Sequence, residues 1–214
     1  HIYPPTTVTS ARRVAELHWE ADGDTSLRHR HFLTARAPKG GSATLGRTPL
    51  LYNADIAMLY VEPNETDAHF YRNSQADEVV YVAEGSGVLE SPFGDLPYMP
   101  GDYVVIHRNI LHRWRLDPAK GATKFVVFES AGHVETPRRY RNESGQLLEG
   151  APYCERDIRR PTALRPTDER GEFRILVKQY NAINELVLDH HPFAVVGWDG
   201  YFYPWAFNIH GFEP

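Results

Sequence analysis

Short runs of apolar residues, each bounded by Gly, Pro, Asn or Asp, organise most of the chain. Most of these runs have the length of a strand and are rich in Val, Ile, Tyr and Phe, which favour strands over helices. No run has the sustained 3.6-residue period of an amphipathic helix. We therefore predict strands over residues 56–61, 78–83, 103–106, 124–128, 173–178, 185–188 and 193–198.

The segments between these runs have the chemistry of tight turns. They include "EGSG" at 84–87, "MPGD" at 99–102 and "GWDG" at 197–200, and Gly, Pro and Asp are the residues that turns prefer. Short turns between short strands predict an antiparallel, all-β architecture. From 134 to 166 the apolar runs are replaced by Arg, Pro and polar residues. This segment predicts a long irregular connection before further strands. We divide the chain into residues 1–133 and 134–214.

The connection is rich in arginine. One interpretation is that these arginines hold an anionic ligand. The alternative, which we favour because charge runs are usually solvated, is that they pair with neighbouring carboxylates on the surface. The arginines are Arg138, Arg139, Arg141, Arg156, Arg159 and Arg160, and the carboxylates are Glu135, Glu143, Glu149, Glu155 and Asp157. We assign no site to this segment.

The composition is that of an ordinary globular protein, with 42% hydrophobic and 24% charged residues among 214. A net charge of −5 argues against nucleic acid as a partner, and no apolar stretch is long enough to span a membrane. The lone Cys154 cannot form an intrachain disulfide, which suggests a reducing, cytoplasmic location. Because the chain begins at His1 rather than methionine, we expect it to be a piece of a longer protein.

The segment "DAHFYRNSQADEVVYVAEGSGVLESPFGDLPYMPGDYVVIHRNILHRWRL" at 67–116 resembles the two motifs of the cupin superfamily. In metal-binding cupins the first motif supplies two histidines two residues apart and a carboxylate, and the second supplies another histidine. Glu78 and Gly85 match the first motif, and Gly101 and His112 match the second. The resemblance implies a cupin-like antiparallel β-barrel or jelly roll with additional strands.

The metal ligands of that motif are only partly present. Where the two histidines should precede Glu78, the chain has Tyr71, Arg72, Asn73 and Ser74, and His69 lies too far upstream. A set of His69, Glu78, His107 and His112 would suit a divalent transition metal.

Against such a set, His107 and His112 are five residues apart, an odd separation that need not place them on one face. A packing role for His112 beside Trp114 is our preferred interpretation. We predict no metal ligand, no cofactor-binding residue and no catalytic residue in this chain.

Longer stretches carry a closer resemblance. "FYRNSQADEVVYVAEGSGVLESPFGDLPYMPGDYVVI", "TPRRYRNESGQLLEGAPYCERDIRRP" and "HHPFAVVGWDGYFYPWAFNIHGFEP" resemble the amino-terminal half of the homogentisate 1,2-dioxygenase family. The resemblance implies a non-haem Fe(II) enzyme that opens the aromatic ring of homogentisate with O2 to give maleylacetoacetate, in tyrosine and phenylalanine catabolism. It also implies a homo-oligomer, a hexamer built of trimers.

In that family the iron ligands lie in the carboxy-terminal half, so the resemblance implies that Fe(II), the aromatic acid and O2 are bound outside this chain. Two alternatives remain open: a free-standing, non-catalytic cupin that binds a partner, and an independent metal cupin that uses His69, Glu78 and His112. We also expect aromatic residues from Tyr201 to Phe207 to form an exposed apolar patch, because one strand's neighbours cannot bury all of them.

Overall fold

The computed structural model describes residues 1–4, 7–24 and 26–212, and within them the chain is built of strands and short 3-10 turns. The last two residues of the "FEP" block lie outside the described residues. The strands are β1 (Val8–Glu16), β2 (Thr48–Tyr52), β3 (Ile56–Val61), β4 (Phe70–Asn73), β5 (Asp77–Glu84), β6 (Gly87–Ser91), β7 (Gly94–Tyr98), β8 (Asp102–Ile106), β9 (Arg113–Leu116), β10 (Lys124–Ser130), β11 (Arg170–Gln179), β12 (Ala182–His190) and β13 (Trp205–Asn208). The 3-10 turns are Thr34–Arg36, Pro118–Lys120, Arg138–Tyr140, Glu155–Asp157 and Ile209–Gly211.

One face of the fold is a six-stranded antiparallel sheet in the order β13-β8-β5-β10-β3-β2. The other face consists of two smaller sheets, β7-β6-β9 and β1-β12-β11-β4. Tyr71 and His112 join these two sheets, because each backbone N–H donates to the other residue's carbonyl, at 2.8 and 2.9 Å. The sheets face each other as a jelly roll without closing into a continuous barrel, which confirms the predicted all-β, cupin-like fold.

The main core fills the space between the six-stranded sheet and the β7-β6-β9 sheet. Strict alternation along the strands supplies it: in β10 every second residue is buried, and Val80 and Val82 do the same in β5. Trp114 is 1% exposed and packs against Tyr98 and Phe125, with ring centroids 5.1 and 4.8 Å away. A sheet buried on one face and paired in register in this way has little freedom to slip.

Most of the predicted strands are present, and one is wrong. Residues 193–198 form no strand, since Pro192 lacks an N–H and the segment turns there. Phe193 and Val195 are buried nevertheless, Phe193 in a second cluster with Phe70 and Leu188. Their apolar character comes from packing under a loop. Sequence patterning missed β1, whose nine residues are all exposed along the edge beside β12.

Strands from both sides of the division at 133 and 134 pair with each other. β11 lies parallel to β4, and β13 lies antiparallel to β8. The division into residues 1–133 and 134–214 stays a prediction. No helix among the described residues has the length and apolar character needed to cross a membrane.

The aromatic residues near the carboxyl end are partly exposed. Phe207 stacks on Tyr103 and Tyr153 at 5.2 and 5.7 Å and is only half-buried. Tyr201 is fully exposed, and Val196, Trp198 and Phe202 are exposed by 64%, 51% and 42%. The exposed apolar surface therefore lies at 196–202, somewhat before the predicted position.

Gly85 allows a test of how tightly the β5 to β6 turn is packed. Its φ is +82°, and a Cβ there would lie 2.7 Å from the Thr123 Cα and 2.9 Å from the Ala122 carbonyl oxygen. Gly121 has a similar φ of +86° with nothing within 4 Å. Gly121→Ala should lower the free energy of unfolding by about 1–3 kcal/mol, the cost of the positive-φ backbone alone. Gly85→Ala should lower it by clearly more, measured by urea unfolding, and equal losses would contradict this account of the turn.

Candidate functional site

The carboxylate of Glu78, the residue that matches the carboxylate of the cupin motif, is fully buried. β5 carries it, and β4 carries Tyr71 and Asn73, two residues apart on the same face. The Tyr71 hydroxyl and the Asn73 amide donate to Glu78 Oε1 at 3.3 and 3.0 Å. The two positions where cupins have histidines are thus filled by hydrogen-bond donors to the carboxylate.

Arg47 supplies the positive charge that this carboxylate needs. Its Nη1 and Nη2 donate to Glu78 Oε1 and Oε2 at 2.8 and 2.9 Å, which is the bidentate pairing that a planar guanidinium favours. Arg47 Nε donates to the Ala43 carbonyl at 3.1 Å, and its side chain is 5% exposed. Arg47 lies in the loop before β2, and no local sequence signal points to it.

A second carboxylate extends this network. Glu129 on β10 lies directly across from Glu78 on β5, and Arg47 Nη1 also donates to Glu129 Oε1 at 3.3 Å. Lys178, from β11 on the opposite face, bonds the other oxygen of Glu129. Negative and positive side chains therefore alternate across the interior, in the order Glu78, Arg47, Glu129 and Lys178. All four side chains are almost fully buried.

Glu78 and Arg47 hold each other in their charged forms. Burial alone would raise the pKa of Glu78, but the charge and hydrogen bonds of Arg47 outweigh burial and hold that pKa below its usual range. Burial would likewise lower the pKa of Arg47, yet the Glu78 charge raises it above its ordinary value. The Arg47 guanidinium therefore stays positively charged inside the core.

His112 lies beside the network and is also fully buried. Its Nδ1 is 2.9 Å from the Ile110 carbonyl oxygen, which can only accept, so Nδ1 carries the hydrogen. Burial lowers the pKa of His112, so the ring is neutral, and its Nε2 is buried without a hydrogen-bond partner in the described part of the chain. The ring meets Tyr71 and Trp114 edge-on, at 5.5 and 6.3 Å between centroids.

Asp67 and His69 form a separate polar group at the edge of the core. Asp67 Oδ2 accepts from the Trp114 N–H at 3.2 Å, and Thr44 Oγ1 lies 2.8 Å from His69 Nε2. Burial raises the pKa of Asp67 to about 6 although the Trp114 N–H lowers it. Burial and then the neighbouring His112 lower the pKa of His69 to about 4.

The core residues do not fit an Fe(II) ion. Among the described residues, the group of three or more His, Cys, Asp or Glu whose ligand atoms approach within 4.8 Å of one another is Asp77, His107 and His133. His69, Glu78 and His112 form no such group, and Arg47 holds both oxygens of Glu78. The absence of metal ligands in this chain stays a prediction.

The Asp77 group has the donor types of a two-histidine, one-carboxylate iron site, but its hydrogen bonds are already made. Asp77 Oδ2 lies 3.0 Å from Nδ1 of both His107 and His133, and it accepts from the Val134 N–H at 2.9 Å. Arg108 donates to Oδ1 through its backbone and side chain. Burial would raise the pKa of Asp77, but these donors hold it well below its usual range.

Trp205 assigns the hydrogen on His107. The indole N–H can only donate, and it lies 3.3 Å from His107 Nε2, so Nε2 accepts and Nδ1 carries the hydrogen toward Asp77. A metal at Nδ1 would have to displace that hydrogen and sit beside the Arg108 cation. The group is therefore a hydrogen-bonded cluster as it stands, and no step of a reaction is derived through an iron ion here.

His107 and His112 lie in different environments, in agreement with the argument from their odd separation. The structure separates His107 from His112 and brings it to Asp77 and His133, neither of which the motif analysis singled out. Of the arginines in the connection, Arg141 pairs with Glu135 at 3.1 Å and Arg156 lies 3.7 Å from Asp157, as the surface interpretation predicted. Arg159 instead pairs with the buried Asp102.

Removing the guanidinium should be strongly destabilising. Arg47→Ala leaves Glu78 buried without its counter-charge, and breaking a buried pair in this way costs about 3–5 kcal/mol of the free energy of unfolding. Arg13→Ala, at an exposed pair with Glu16, should leave the free energy of unfolding nearly unchanged. Combining Arg47→Met with Glu78→Gln should recover part of the loss. Urea unfolding measures all three, and a small loss for Arg47→Ala would refute the central role of the pair.

Asp67 should leave a signature in the pH dependence of stability. Its folded pKa of about 6 exceeds the unfolded value of 3.8, so the stability linked to its protonation is present below pH 3.8 and is lost as pH rises through 6. The side chain of Asp67→Asn does not ionise, so the variant loses no stability from this position as pH rises. From pH 4 to pH 8 the variant should therefore gain up to about 3 kcal/mol relative to the parent chain. The exposed control Asp199→Asn should stay within about 0.5 kcal/mol, and a pH-independent difference for Asp67→Asn would contradict the shift.

Comparison with known proteins gives the family. Residues 41–209 match the family model described as homogentisate 1,2-dioxygenase N-terminal. A Saccharolobus solfataricus protein, named provisionally as a dioxygenase, is 36% identical over the whole chain, which covers 55% of that protein. The homogentisate 1,2-dioxygenase of Emericella nidulans is 25% identical over 73% of this chain and 34% of its own length. The chain thus spans about half of the first relative and about a third of the second.

Among solved structures, a cupin-2 domain protein of Shewanella frigidimarina covers 39% of this chain with 18% identity and a TM-score of 0.35. The family model, by contrast, covers more than three quarters of the chain and includes Arg47, Glu78, His112 and the Asp77 cluster. The chain belongs to the homogentisate 1,2-dioxygenase N-terminal family.

Proposed function

We propose that this chain is the amino-terminal, scaffold half of a non-haem Fe(II) dioxygenase that opens the aromatic ring of homogentisate to give maleylacetoacetate. In this proposal the iron, the aromatic acid and O2 are bound by polypeptide outside these 214 residues, and the assembled protein is a cytoplasmic homo-oligomer. The chain's own task is to fold, to present a surface to the catalytic half and to support subunit contacts.

The observation that carries this proposal is the pairing of Arg47 with Glu78. An oxygen-activating iron needs open coordination positions for substrate and O2. In the jelly-roll core both oxygens of Glu78 are taken by a guanidinium, and the only unpartnered ligand atom described there is Nε2 of His112. We therefore place the iron and the ring-opening reaction outside this core, in the other half of the protein.

The exposed apolar residues support a docking role for the same chain. Val196, Trp198, Tyr201 and Phe202 lie close together in sequence at the carboxyl end and are exposed by 42% or more. Clustered exposed aromatics are typical of surfaces that bind another protein surface. The relatives are about twice as long as this chain, so a second half of the same polypeptide is the occupant we propose.

Oxygen uptake distinguishes this proposal from its two alternatives. The full-length protein loaded with Fe(II) should consume O2 with homogentisate and yield the ring-opened product, with gentisate as the comparison substrate. The 214-residue chain supplied with Fe(II) should consume none, and uptake by the chain alone would refute our placement of the reaction.

Metal analysis of the same chain separates the remaining outcomes. Stoichiometric iron that His112→Ala abolishes would select the independent metal cupin with His69, Glu78 and His112. An inactive full-length protein would favour a non-catalytic cupin, and either result would contradict the proposed function.

A further inference from the structure

A pocket of about 730 Å³ opens at one end of the jelly roll, where several connections between strands meet. Its volume falls within the range of sites that bind small molecules, and the mouth of a β-barrel is a common place for such a site. The segment after β1, the turn between β2 and β3 and the end of β10 form its walls. The lining residues used below are Trp19, Glu20, Tyr52, Asp55, Ile56 and Glu129.

Two aromatic rings form a fixed corner in this pocket. The rings of Trp19 and Tyr52 meet edge to face, with their centroids 5.2 Å apart and their planes at 62°. The Tyr52 hydroxyl donates to the Trp19 carbonyl oxygen at 2.7 Å, which ties the segment after β1 to β2. Tyr52 is 39% exposed, and Trp19 is half-buried. A ligand therefore meets ring surface that is already in position, and such preorganisation lowers the cost of binding.

The chain's own Lys178 places an ammonium group beside this pocket. Lys178 Nζ lies 5.0 Å from the centre of the Trp19 ring and bonds the Glu129 carboxylate. The negative face of an aromatic ring attracts a cation, and the carboxylate supplies the counter-charge. This end of the fold thus already holds one ammonium group with an aromatic ring and a carboxylate.

The outer part of the pocket has the same types of group without a cation. Glu20 and Asp55 line it together with Tyr52, and both carboxylates are exposed. Neither forms an ion pair or a hydrogen bond with any side chain that the structure describes. No lysine or arginine in the described part of the chain lines the pocket, and its histidine, His18, lies 3.2 Å from Glu16. Negative charge here is therefore uncompensated beside an aromatic ring.

These groups suit an organic cation better than a metal ion. A divalent metal needs several ligand atoms that converge on one point. Among the described residues, the group of three or more His, Cys, Asp or Glu whose ligand atoms converge is the Asp77 group, which does not line this pocket. A neutral ligand would gain little from the uncompensated charge. A cation with a hydrocarbon part gains from both the carboxylates and the rings.

We propose that this pocket binds a small alkylammonium ion. The charged nitrogen lies against the Tyr52 ring, where Asp55 and Glu20 supply the counter-charge, and the hydrocarbon part packs against Trp19 and Ile56. The site goes beyond the proposed function, because binding here requires neither iron nor ring cleavage and selects a cation instead of an aromatic acid.

Isothermal titration of the 214-residue chain with choline tests the proposal. The matched probe is 3,3-dimethylbutan-1-ol, which has the same shape but carries a carbon in place of the charged nitrogen. Choline should bind saturably, and the neutral alcohol should bind at least about tenfold more weakly, because it lacks the attraction of the ring and the carboxylates. Equal binding of the two probes, saturable binding of glucose without choline, or absence of saturable choline binding would overturn the proposal.

Three substitutions assign the contacts. Asp55→Asn and Glu20→Gln remove the two uncompensated charges, and the double variant should weaken choline binding about tenfold while leaving the neutral alcohol unchanged. Glu65→Gln is the matched control, because it removes an exposed carboxylate that does not line the pocket, and it should leave choline binding unchanged. If the double variant binds choline as the parent chain does, these carboxylates are not contacts and the site is refuted.

The indole N–H signals of the tryptophans locate the ligand. Trp19 lines the pocket, whereas Trp114 is buried in the main core and Trp205 lies in β13. Choline should shift the Trp19 signal, identified by its loss in Trp19→Phe, and leave the Trp114 and Trp205 signals in place. A shift at Trp114 or Trp205 without one at Trp19 would contradict the proposed pocket. Failure of the full-length protein to take up O2 would leave these binding results standing.

Discussion

The buried carboxylate of Glu78 requires a positive partner, and the pairing with Arg47 is the constraint on which the interior of the jelly roll depends. An isolated carboxylate in a dry core would be prohibitively costly or would become protonated. A second carboxylate, Glu129, lies directly across the β5 and β10 pair, where two like charges repel. A single guanidinium between them removes both problems, and Lys178 completes the neutrality from the opposite face. The same four side chains tie the six-stranded sheet to β11 and to the loop before β2, so electrostatic neutrality and sheet packing are achieved together.

This arrangement explains which parts of the site could be predicted from the sequence. A motif with fixed spacing surrounds Glu78 and His112 and makes them predictable, and the apolar run at 124–128 predicts the strand β10. Arg47 could not be found this way, since it is 31 residues from Glu78 and lies in a loop without periodicity. The only signal was indirect: a carboxylate in an apolar strand, with its histidine partners missing, needs some cation. The segment at 193–198 failed for a different reason, because buried apolar residues under a loop look like a short strand when only composition and length are considered.

The two histidines of the second motif show why spacing alone does not define a metal site. Asp77 and Glu78 are adjacent in β5, so their side chains leave the strand on opposite faces. Glu78 enters the core with Arg47, whereas Asp77 meets His107 and His133 on the other side. His112, an odd number of residues from His107, remains in the core. Its Nδ1 hydrogen faces a backbone carbonyl, and that of His107 faces a carboxylate. Residues that a motif places side by side thus belong to two chemically different environments.

One strand therefore separates a closed interior from an open exterior. Inside, every oxygen of Glu78 is held by a permanent cation and by donors from Tyr71 and Asn73, so a ligand entering the core would have to break buried, charge-assisted hydrogen bonds. Outside, the Asp77 carboxylate fixes a histidine whose second nitrogen remains accessible beside a cavity and an arginine without a carboxylate partner among the described residues. The energetic asymmetry is large, because binding outside displaces water from exposed groups whereas binding inside would uncover buried charge. The cupin motif therefore marks a part of this chain that its own charge pairing closes, whereas the His133 side chain on the outer face of β5 remains open to solvent.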